Sequence, residues 1–266
     1  MLNIENGFLG DIYGHVDQII GDAGHRHLSV AVITPTTGSL FLGRAIQSVF
    51  DQDHGDIDHL IVVDGLQFEQ QVRQILSGAN SSRCTVCVLP FNTGKDGLLS
   101  GHRIYASFPL LVNSKYILFL DEDNWWDPEH VSSMVALLGR DRVDWAHSMR
   151  KIYTHDEVYV ADDNCESIGM YPPYSHLKNG WPSYVDTNCY AFRRSTIAQT
   201  AHYWYHPRRG DRYFFHNLCA KFPSYLSSKK YTVNYRLKEN GPVPPDYIVE
   251  GNRYMMEKYS AGLPWL

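Results

Sequence analysis

The sequence predicts an α/β fold: a mostly parallel sheet with helices on both faces, followed by a less regular C-terminal half. In the first half, short apolar runs alternate with segments whose apolar residues recur at helical spacing. The runs are almost wholly apolar, which is typical of strands buried on both faces of a parallel sheet. Such sheets bind ligands beyond the carboxyl ends of their strands, so the residues after each run are the candidate site.

Four strands are predicted in the first half because each apolar run is short and ends at a turn-forming or polar residue. Cys84 and Cys87 in the third run have the spacing of a redox or zinc motif. Residues three apart on a strand point to opposite faces, so we expect these two cysteines to pack in the sheet. The predicted strands are Leu28–Thr34, His59–Asp64, Cys84–Leu89 and Lys115–Leu120.

Helical spacing and capping residues predict four helices that follow these strands. Thr37 or Ser39 is the expected N-cap of the first helix, and Asp127 is the expected N-cap of the fourth, with Pro128 at its first position. Pro109 should kink or end the third helix. The helices are predicted at Gly38–Asp51, Gln67–Leu76, Leu98–Leu111 and Asp127–Leu138.

The remainder of the chain has weaker patterns and no boundary that divides it into independent domains. We expect an extension over residues 1–26, with a short helix around Ile12–Ile20. One domain should follow over 27–240, with a first half over 27–140 and a second half over 141–240. The last residues, 241–266, should form a tail. One or two strands are predicted in Val143–Val160, with a turn near His155. Further strands are predicted at Tyr184–Phe192 and Lys230–Arg236, and helices at Ser195–Tyr203, Asp211–Phe222 and Tyr254–Tyr259.

Composition excludes several classes of protein. The 266 residues are 44% hydrophobic and 20% charged with a net charge of -5, which disfavours a disordered chain and a general nucleic-acid binder. No run is long and apolar enough for a membrane span, and Met1–Asp22 lacks the early basic residues of a signal peptide. Five scattered cysteines favour a reducing compartment. We therefore expect a soluble, cytoplasmic protein, for which a homo-oligomer stays open.

Three consecutive acids, Asp121, Glu122 and Asp123, follow the fourth predicted strand. Their three negative charges repel one another unless a cation lies between them. Carboxylate oxygens are suitable ligands for Mg²⁺ or Mn²⁺. The alternatives are a solvated acidic turn, or capping of the next helix by Asp123 and Asp127. Because Asp127 is already placed as the cap, the pattern favours a metal site.

Five motifs, each placed after or beside a predicted strand, together resemble the nucleotide-sugar half of a GT-A fold glycosyltransferase of the broad family-2 type. The last of them is similar to the Asp-x-Asp motif of that family, with its trailing Trp and Pro. The resemblance covers somewhat under half of the chain. The motifs are Val32–Thr36, Leu42–Gln52, Ile61–Gly65, Asn92–Gly94 and Tyr116–Pro128.

The resemblance implies roles for individual donor-site residues. Asp64 would accept a hydrogen bond from the base, typically uracil, although Gly65 stands where the family often has a second acid. The family's usual Ala-Arg-Asn corresponds to Gly101–Ile104, so Arg103 would lie near the nucleotide. Thr34, Pro35 and Thr36 would line the nucleotide pocket, Asp121 would lie near the ribose with Glu122 beside it, and Asp123, with Asp121, would hold the metal at the diphosphate.

The resemblance also implies a general base near the start of a later helix. Gly210-Asp211-Arg212 is similar to the family's Gly-Glu-Asp element, so Asp211 is the candidate base, with a plain helix N-cap as its alternative role. Asp186 is the alternative base. His216 is a candidate late metal ligand. Arg208, Arg209 and Arg212 would contact the diphosphate or an anionic acceptor, or form a solvated cluster, and Trp181 would stack on an acceptor sugar or be buried.

These observations predict a metal-dependent glycosyltransferase that uses Mn²⁺ or Mg²⁺. It would move a sugar from a nucleotide sugar, a UDP-sugar in particular, to the hydroxyl of a carbohydrate or other acceptor. The transfer would invert the anomeric configuration of the sugar. A retaining enzyme of the same fold is the alternative. A sugar-1-phosphate nucleotidyltransferase is a further alternative, but its usual glycine- and arginine-rich loop is absent after the first predicted strand. A carbohydrate-binding protein without catalysis is the last, and it would not require Asp121 and Asp123.

Overall fold

A computed structural model describes residues 29–78, 84–94, 101–206 and 209–266. The predicted extension over 1–26, its helix around Ile12–Ile20, and Arg208 lie outside these residues. The predicted α/β class is confirmed, because the described chain forms one sheet with helices packed against it.

Nine strands form this sheet within the described ranges. The order across the sheet is β3-β2-β1-β4-β8-β6-β9-β5, and β7 pairs with β6. The strands are β1 (Val30–Thr36), β2 (Ile57–Val63), β3 (Cys84–Val88), β4 (Tyr116–Phe119), β5 (Trp125–Trp126), β6 (Trp145–Tyr153), β7 (Tyr159–Asp162), β8 (Tyr190–Arg193) and β9 (Tyr225–Arg236).

Strand direction divides the sheet into two parts. The strands β3, β2, β1 and β4 are parallel, as the unbroken apolar runs predict. In contrast, β8 is antiparallel to both β4 and β6, while β6 and β9 are parallel to each other. The carboxyl ends of the four parallel strands therefore meet at one edge, and the second half of the chain extends the sheet beside that edge.

Helices cover the sheet and follow the strands in the predicted order. They are α1 (Leu42–Phe50), α2 (Glu69–Gly78), α3 (His102–Ser107), α4 (His130–Leu138), α5 (Tyr174–Asn179), α6 (Arg194–Thr200), α7 (Gly210–Lys221) and α8 (Pro245–Lys258). Short 3₁₀ helices lie at Leu66–Phe68, Phe108–Leu110, Thr187–Cys189 and Ala201–Tyr205.

Two predicted helix caps are wrong for a physical reason. Asp127 does not cap α4, because its carboxylate accepts hydrogen bonds from Lys151 Nζ at 2.5 Å and Asn234 Nδ2 at 2.9 Å. The helix α1 begins at Leu42, later than predicted, and no side chain caps it. The backbone N–H groups of Thr37 and Ser39 donate to the Glu122 carboxylate instead, which holds this segment outside the helix.

Two of the hydrophobic clusters lie on opposite faces of the parallel strands. Cys87 packs against the cluster that contains Ile33 and Phe119, and Cys84 packs against the cluster that contains Ile61. The expectation that these cysteines pack in the sheet is therefore confirmed.

The predicted tail over 241–266 packs against the second half of the sheet. Helix α8 buries Ile248 and Met255, and Trp265 is buried beyond the end of the helix. These side chains share one hydrophobic cluster with Met149 and Ile152 of β6. Residues 241–266 thus form part of the packing of β6.

Gln52 joins the end of α1 to the start of α4. Its buried amide donates to the carbonyl oxygen of Asp127 at 2.8 Å and accepts from the backbone N–H of Val131 at 2.8 Å. The first backbone group belongs to the turn that follows the acidic motif, and the second belongs to the first turn of α4. The side chain therefore fixes that turn against α1.

We predict that Gln52→Met destabilises the fold by roughly 2 kcal/mol, because it leaves the buried backbone N–H of Val131 without a partner. The Asp127 carbonyl keeps its bond from the backbone N–H of His130. Urea unfolding followed by circular dichroism measures the change. Gln74→Ala, at an exposed position on α2, is the matched control and should change stability by less than about 0.5 kcal/mol. Equal midpoints for the two variants would contradict the role of Gln52.

Candidate functional site

A cleft of about 360 Å³ lies at the edge where the four parallel strands end. Of the predicted donor-site residues, it is lined by Pro35, Thr36, Asp64, Asp121, Glu122 and Asp123. Residues from four separate segments of the chain complete it, namely Asn92, Gly94, His102, Tyr105, Thr187, Tyr235 and Lys238 among others. The strand ends thus bring the predicted acids and the predicted nucleotide pocket together.

Thr34 lies beneath the cleft and does not line it. Its side chain is fully buried, and its hydroxyl is 2.9 Å from Nε2 of His59 on the neighbouring strand β2. Burial lowers the pKa of His59 to about 3, so this imidazole is neutral. Thr34 therefore belongs to the packing between β1 and β2.

Glu122 lines the cleft and braces the loop between β1 and α1. One carboxylate oxygen accepts from the Thr36 hydroxyl at 2.5 Å and from the Ser39 backbone N–H at 2.8 Å. The other accepts from the backbone N–H and hydroxyl of Thr37, at 3.3 and 3.2 Å. Both carboxylate oxygens are thus used in positioning the loop.

Asp64 occupies the end of the cleft formed by the loops after β2 and β3. It is buried, and its Oδ1 accepts from the backbone N–H of Thr93 at 2.7 Å. Gly65, which follows, has a φ of 127°, a conformation that favours glycine. The hydrogen bond places Asn92 and Gly94 beside Asp64 in the cleft lining.

Asp121 is held by two side chains from distant parts of the chain. The Tyr105 hydroxyl donates to its Oδ1 at 2.6 Å, and Asn188 Nδ2 donates to its Oδ2 at 2.9 Å. The Asn188 amide oxygen also accepts from the backbone N–H of Asp121 at 2.6 Å. Burial, followed by the charges of Asp123 and Asp186, raises the pKa of Asp121 to about 7.

The alternative base, Asp186, is committed to a buried ion pair. Its Oδ2 accepts from Arg150 Nη1 at 2.6 Å, and its Oδ1 accepts from Asn188 Nδ2 at 2.8 Å. Arg150 also donates from Nε to Asp163 at 2.7 Å. Because both oxygens of Asp186 are held by buried partners, the structure gives this residue a positioning role behind Asp121.

Asp123 lies at the opposite side of the acidic motif, against the end of β9. Burial raises the pKa of its carboxyl, the nearby Lys238 ammonium lowers it, and Glu122 raises it again. Arg236 Nε donates to the Asp123 carbonyl oxygen at 3.0 Å, and the Arg236 backbone N–H donates to Asn124 Oδ1 at 2.8 Å. These bonds fix the position of Lys238 beside the motif.

Asp121 and Asp123 fit a divalent cation that shares its remaining positions with water and phosphate oxygens, as Mg²⁺ and Mn²⁺ commonly do. Both carboxyls line one cleft, and the pKa of each is raised first by burial and then by the charges of neighbouring carboxylates. Among the residues that the structure describes, however, no group of three or more His, Cys, Asp or Glu side chains is arranged to hold a metal. A metal site at Asp121 and Asp123 would therefore need further oxygen ligands from water or from a bound phosphate.

The prediction that His216 completes a metal site is wrong. Helix α7 turns Arg212, Phe215 and Leu218 towards the interior, so the position after Phe215 faces away from it. His216 is exposed and does not line the cleft. Helical periodicity therefore separates it from the acidic pair.

Arg103 lies outside the cleft, and its neighbour His102 lies inside it. Gly101 has a left-handed backbone with φ 69°, and α3 starts immediately after it. His102 and Tyr105, three residues apart on α3, both line the cleft. Arg103 is turned about 100° away around the helix, and its guanidinium lies 5.4 Å from the Tyr205 ring.

Asp211 lies in the first turn of α7, half-buried, next to the cleft but not in its lining. Arg212 points the other way into the interior. Its guanidinium lies 4.0 Å from the Tyr184 ring and 3.6 Å from the Glu166 carboxylate. The prediction of a solvated arginine cluster is therefore wrong for Arg212.

Trp181 is half-buried and packs beside two of these arginines. The guanidinium groups of Arg209 and Arg212 lie 5.1 and 5.2 Å from its ring. Trp181 does not line the cleft. Its contacts thus support packing, and an acceptor-stacking role stays a prediction.

The comparisons with known proteins agree with this geometry. Glycosyl transferase family 2 matches residues 31–200, which is more than half of the chain. The chain belongs to this family. It is 26% identical over 157 residues to WcaA of Escherichia coli (strain K12), which is described as a colanic acid biosynthesis glycosyl transferase. That match covers 55% of this chain and 50% of the relative, so the chain spans about half the length of the curated relative it matches.

Solved structures show the same fold. The 1–349 portion of S. aureus TarS has a TM-score of 0.57 at 14% identity, covering 87% of this chain and 72% of that one. Its complex with UDP-GlcNAc has a TM-score of 0.56 at 14% identity, covering 82% and 63%. The mannosyltransferase PcManGT from Pyrobaculum calidifontis, in complex with GDP-Man and Mn²⁺, has a TM-score of 0.55 at 10% identity, covering 88% and 66%.

Helices of the described residues are all too short or too polar to cross a membrane.

Sequence reasoning missed several residues of the cleft and its support, among them His102, Tyr105, Asn188, Tyr235 and Lys238. Tyr105 had one usable signal, since it lies three residues after His102 on a helix next to the cleft. Asn188, Tyr235 and Lys238 lie within or beside elements of the second half that have no motif. Only the pairing of β4 with β8, and of β9 with β5 and β6, brings them to the acidic motif.

We predict that the raised pKa of Asp121 makes the metal-free protein less stable as pH rises. The folded carboxyl binds its proton more tightly than the unfolded one, so its contribution to the free energy of unfolding falls between about pH 4 and pH 7. From pH 5 to pH 8 the wild type should lose on the order of 2 kcal/mol more stability than Asp121→Asn.

Urea unfolding at both pH values in the presence of a chelator measures this difference. Asp141→Asn, at an exposed turn after α4, is the matched control and should follow the wild type. Buried histidines affect all three proteins alike, so the comparison isolates Asp121. Parallel pH profiles for the wild type and Asp121→Asn would show that Asp121 titrates normally.

Proposed function

We propose that this protein is a glycosyltransferase that moves a sugar from a nucleotide sugar, in particular a UDP-sugar, to an acceptor hydroxyl. The observation that carries the proposal is the joining of Asp64, Asp121 and Asp123 in one cleft at the ends of four parallel strands. Membership of glycosyl transferase family 2 supports the reaction class. TarS and PcManGT, which share the fold, are seen with UDP-GlcNAc and with GDP-Man and Mn²⁺.

The two ends of the cleft suggest how a donor would lie. Asp64, with Pro35 and Thr36 nearby, would receive the base, since its carboxylate can accept from a ring N–H. Asp121 would lie near the ribose and Asp123 near the diphosphate. The Glu122 carboxylate would keep the loop after β1 against the nucleotide, because its hydrogen bonds from Thr36 and Ser39 hold that loop in place.

Mn²⁺ or Mg²⁺ would be held by Asp123 and Asp121, where it would neutralise charge on the diphosphate. The ammonium group of Lys238 lines the same end of the cleft. It would add a positive charge next to the phosphates without needing a metal. The chain itself thus contributes two carboxylates and one cation to this subsite.

The position of Asp211 supports inversion. In an inverting transfer a base removes the proton of the acceptor hydroxyl as its oxygen attacks the anomeric carbon. Asp211 lies beside the cleft, whereas Asp186 is engaged by Arg150 and Asn188. A retaining transfer is the alternative, and it would leave Asp211 as part of the helix end only. A cytoplasmic location and a homo-oligomer stay predictions of the sequence.

We predict that UDP with Mn²⁺ raises the melting temperature of the protein, whereas neither component alone does so fully. A nucleotide at about a hundred times its Kd adds roughly 2.7 kcal/mol of stability, which a melting curve resolves easily. GDP and other nucleoside diphosphates, tested in parallel, identify the donor class.

The Asp123→Asn variant should lose the metal-dependent part of this shift, and Asp141→Asn should keep it. A shift with the matching sugar-1-phosphate and nucleoside triphosphate only would favour a nucleotidyltransferase. The absence of a shift with every nucleotide would refute the donor site and favour a carbohydrate-binding protein.

We predict that the product has the anomeric configuration opposite to that of the donor sugar. The measurement is ¹H nuclear magnetic resonance of the first product formed from a nucleotide sugar that shifts the melting temperature. An α-linked donor should give a β-linked product. A product that keeps the α configuration would remove the role of base from Asp211.

A further inference from the structure

The start of α7, which carries Asp211, contacts His102 of the cleft lining. Asp211 lies in the first turn of α7 and does not line the cleft, whereas His102 at the start of α3 does. The His102 ring lies against Gly210, the residue before Asp211. A group that removes a proton from an acceptor must reach that acceptor, so His102 is better placed than Asp211 to do so.

The His102 ring is held in a defined position by two elements. A Cβ atom on Gly210 would lie 2.6 Å from His102 Nδ1 and 2.7 Å from its Cε1, closer than real Cβ atoms approach. On another side, the Trp204 ring centroid is 5.4 Å from that of His102. Glycine at position 210 is therefore required for this contact, and the ring is packed between α7 and the 3₁₀ helix Ala201–Tyr205.

His102 also has an unused polar atom. Its Nδ1 is buried and has no hydrogen-bond partner among the described residues. A buried ring nitrogen without a partner costs stability, and a catalytic role of the ring is one of the reasons for which such exceptions are retained. Packing of the ring against Trp204 does not account for this nitrogen.

The electrostatic surroundings suit a neutral imidazole that accepts a proton. Burial lowers the pKa of His102, and the charge of Asp211 opposes that effect. The imidazole is therefore uncharged at neutral pH, and Asp211 stabilises the imidazolium once it forms. Trp204 adds no charge, and the remaining titratable groups of the cleft are Asp64, Tyr105, Asp121, Glu122, Asp123, Tyr235 and Lys238.

We propose that His102 takes the proton of the acceptor hydroxyl and that Asp211 acts through it, as a positioning residue that stabilises the imidazolium. This inference rests on the proposed glycosyl transfer and assigns its base. It changes the role of Asp211 from direct base to partner of His102. Nothing in the sequence motifs pointed to His102, because it precedes the arginine that the family resemblance singles out.

The step balances as follows for a nucleotide-sugar donor. The acceptor oxygen forms a bond to the anomeric carbon, and the bond from that carbon to the phosphate oxygen breaks with its electron pair going to the diphosphate. Because Nδ1 is buried against Gly210, it keeps the proton of the neutral ring, and the hydroxyl proton goes to Nε2 of His102. Asp211 stays a carboxylate throughout, and the proton leaves to solvent when the product departs.

The test compares His102→Asn, Asp211→Asn and the double variant, with His202→Asn as the control. His202 is an exposed histidine on the neighbouring 3₁₀ helix. The assay uses the nucleotide sugar that shifts the melting temperature, with water as the acceptor when no sugar acceptor is at hand, and follows release of the nucleoside diphosphate. Calorimetry with the nucleoside diphosphate and Mn²⁺ measures binding separately.

We expect His102→Asn to lower kcat about a hundredfold or more, the usual contribution of a general base. Its Kd for the nucleoside diphosphate should stay within about twofold of the wild-type value, a difference of about 0.4 kcal/mol. The double variant should be no slower than His102→Asn alone, because residues that act as one unit are not additive. The acidic limb of the kcat–pH profile should disappear with His102.

A second variant separates chemistry from folding. His102→Ala leaves space beside Gly210, so added imidazole should restore part of the lost kcat, which a merely structural histidine would not allow. If His102→Asn fails to fold, His102→Ala with and without imidazole decides the question. His102→Ala that folds and recovers no activity with imidazole would overturn the proposal.

Two other results would also overturn it, and they differ from failure of the proposed function. His102→Asn with nearly wild-type kcat, while Asp211→Asn is slow, would make Asp211 the direct base. A more than tenfold loss of nucleotide binding in His102→Asn would make it a donor-binding residue. If the wild-type protein binds no nucleotide at all, the glycosyltransferase proposal fails first, and the role of His102 fails with it.

Discussion

The buried guanidinium of Arg150 is the group on which the placement of the acidic motif depends. It lies on β6 and donates to Asp163 at 2.7 Å and to Asp186 at 2.6 Å, and it stacks 4.3 Å from the Tyr235 ring of β9. Asp186 in turn orients Asn188, whose amide holds Asp121. Arg150 thus connects the second half of the chain to the motif that ends β4, and removal of its charge would leave two buried carboxylates unpaired.

This arrangement keeps negative charge in the interior close to a surface cleft. Asp121 and Asp123 are both raised in pKa by burial, and each also feels the charge of Asp186. Buried carboxylates with raised pKa values lower the stability of the fold when they are ionised. A positively charged group that binds between them would compensate this loss, which agrees with the proposed metal and diphosphate at this end of the cleft.

Much of the fold and part of the site could be predicted from the sequence. The apolar runs located β1 to β4, and the motifs after them located Asp64, Asp121 and Asp123, because a residue after a buried parallel strand must appear at the sheet edge. Arg103 is not in the lining of the cleft, because the left-handed Gly101 decides where α3 begins and so which side chains face the cleft. Asp127 was misread as a cap because its partners Lys151 and Asn234 come from distant strands.

The sequence by itself determined the order of the strands along the chain, the parallel direction of the first four, and the acids at their ends, since these follow from local patterns of apolar and polar residues. Only the tertiary structure decided which residues of the second half reach those acids. Antiparallel pairing of β8 with β4 brings Asn188 to Asp121, and the end of β9 brings Lys238 to Asp123. The contact of Gly210 with His102 joins α7 to α3 across 108 residues of chain. Long-range pairing and packing of this kind leave no signal in a local pattern, because each partner alone is an ordinary polar or small residue.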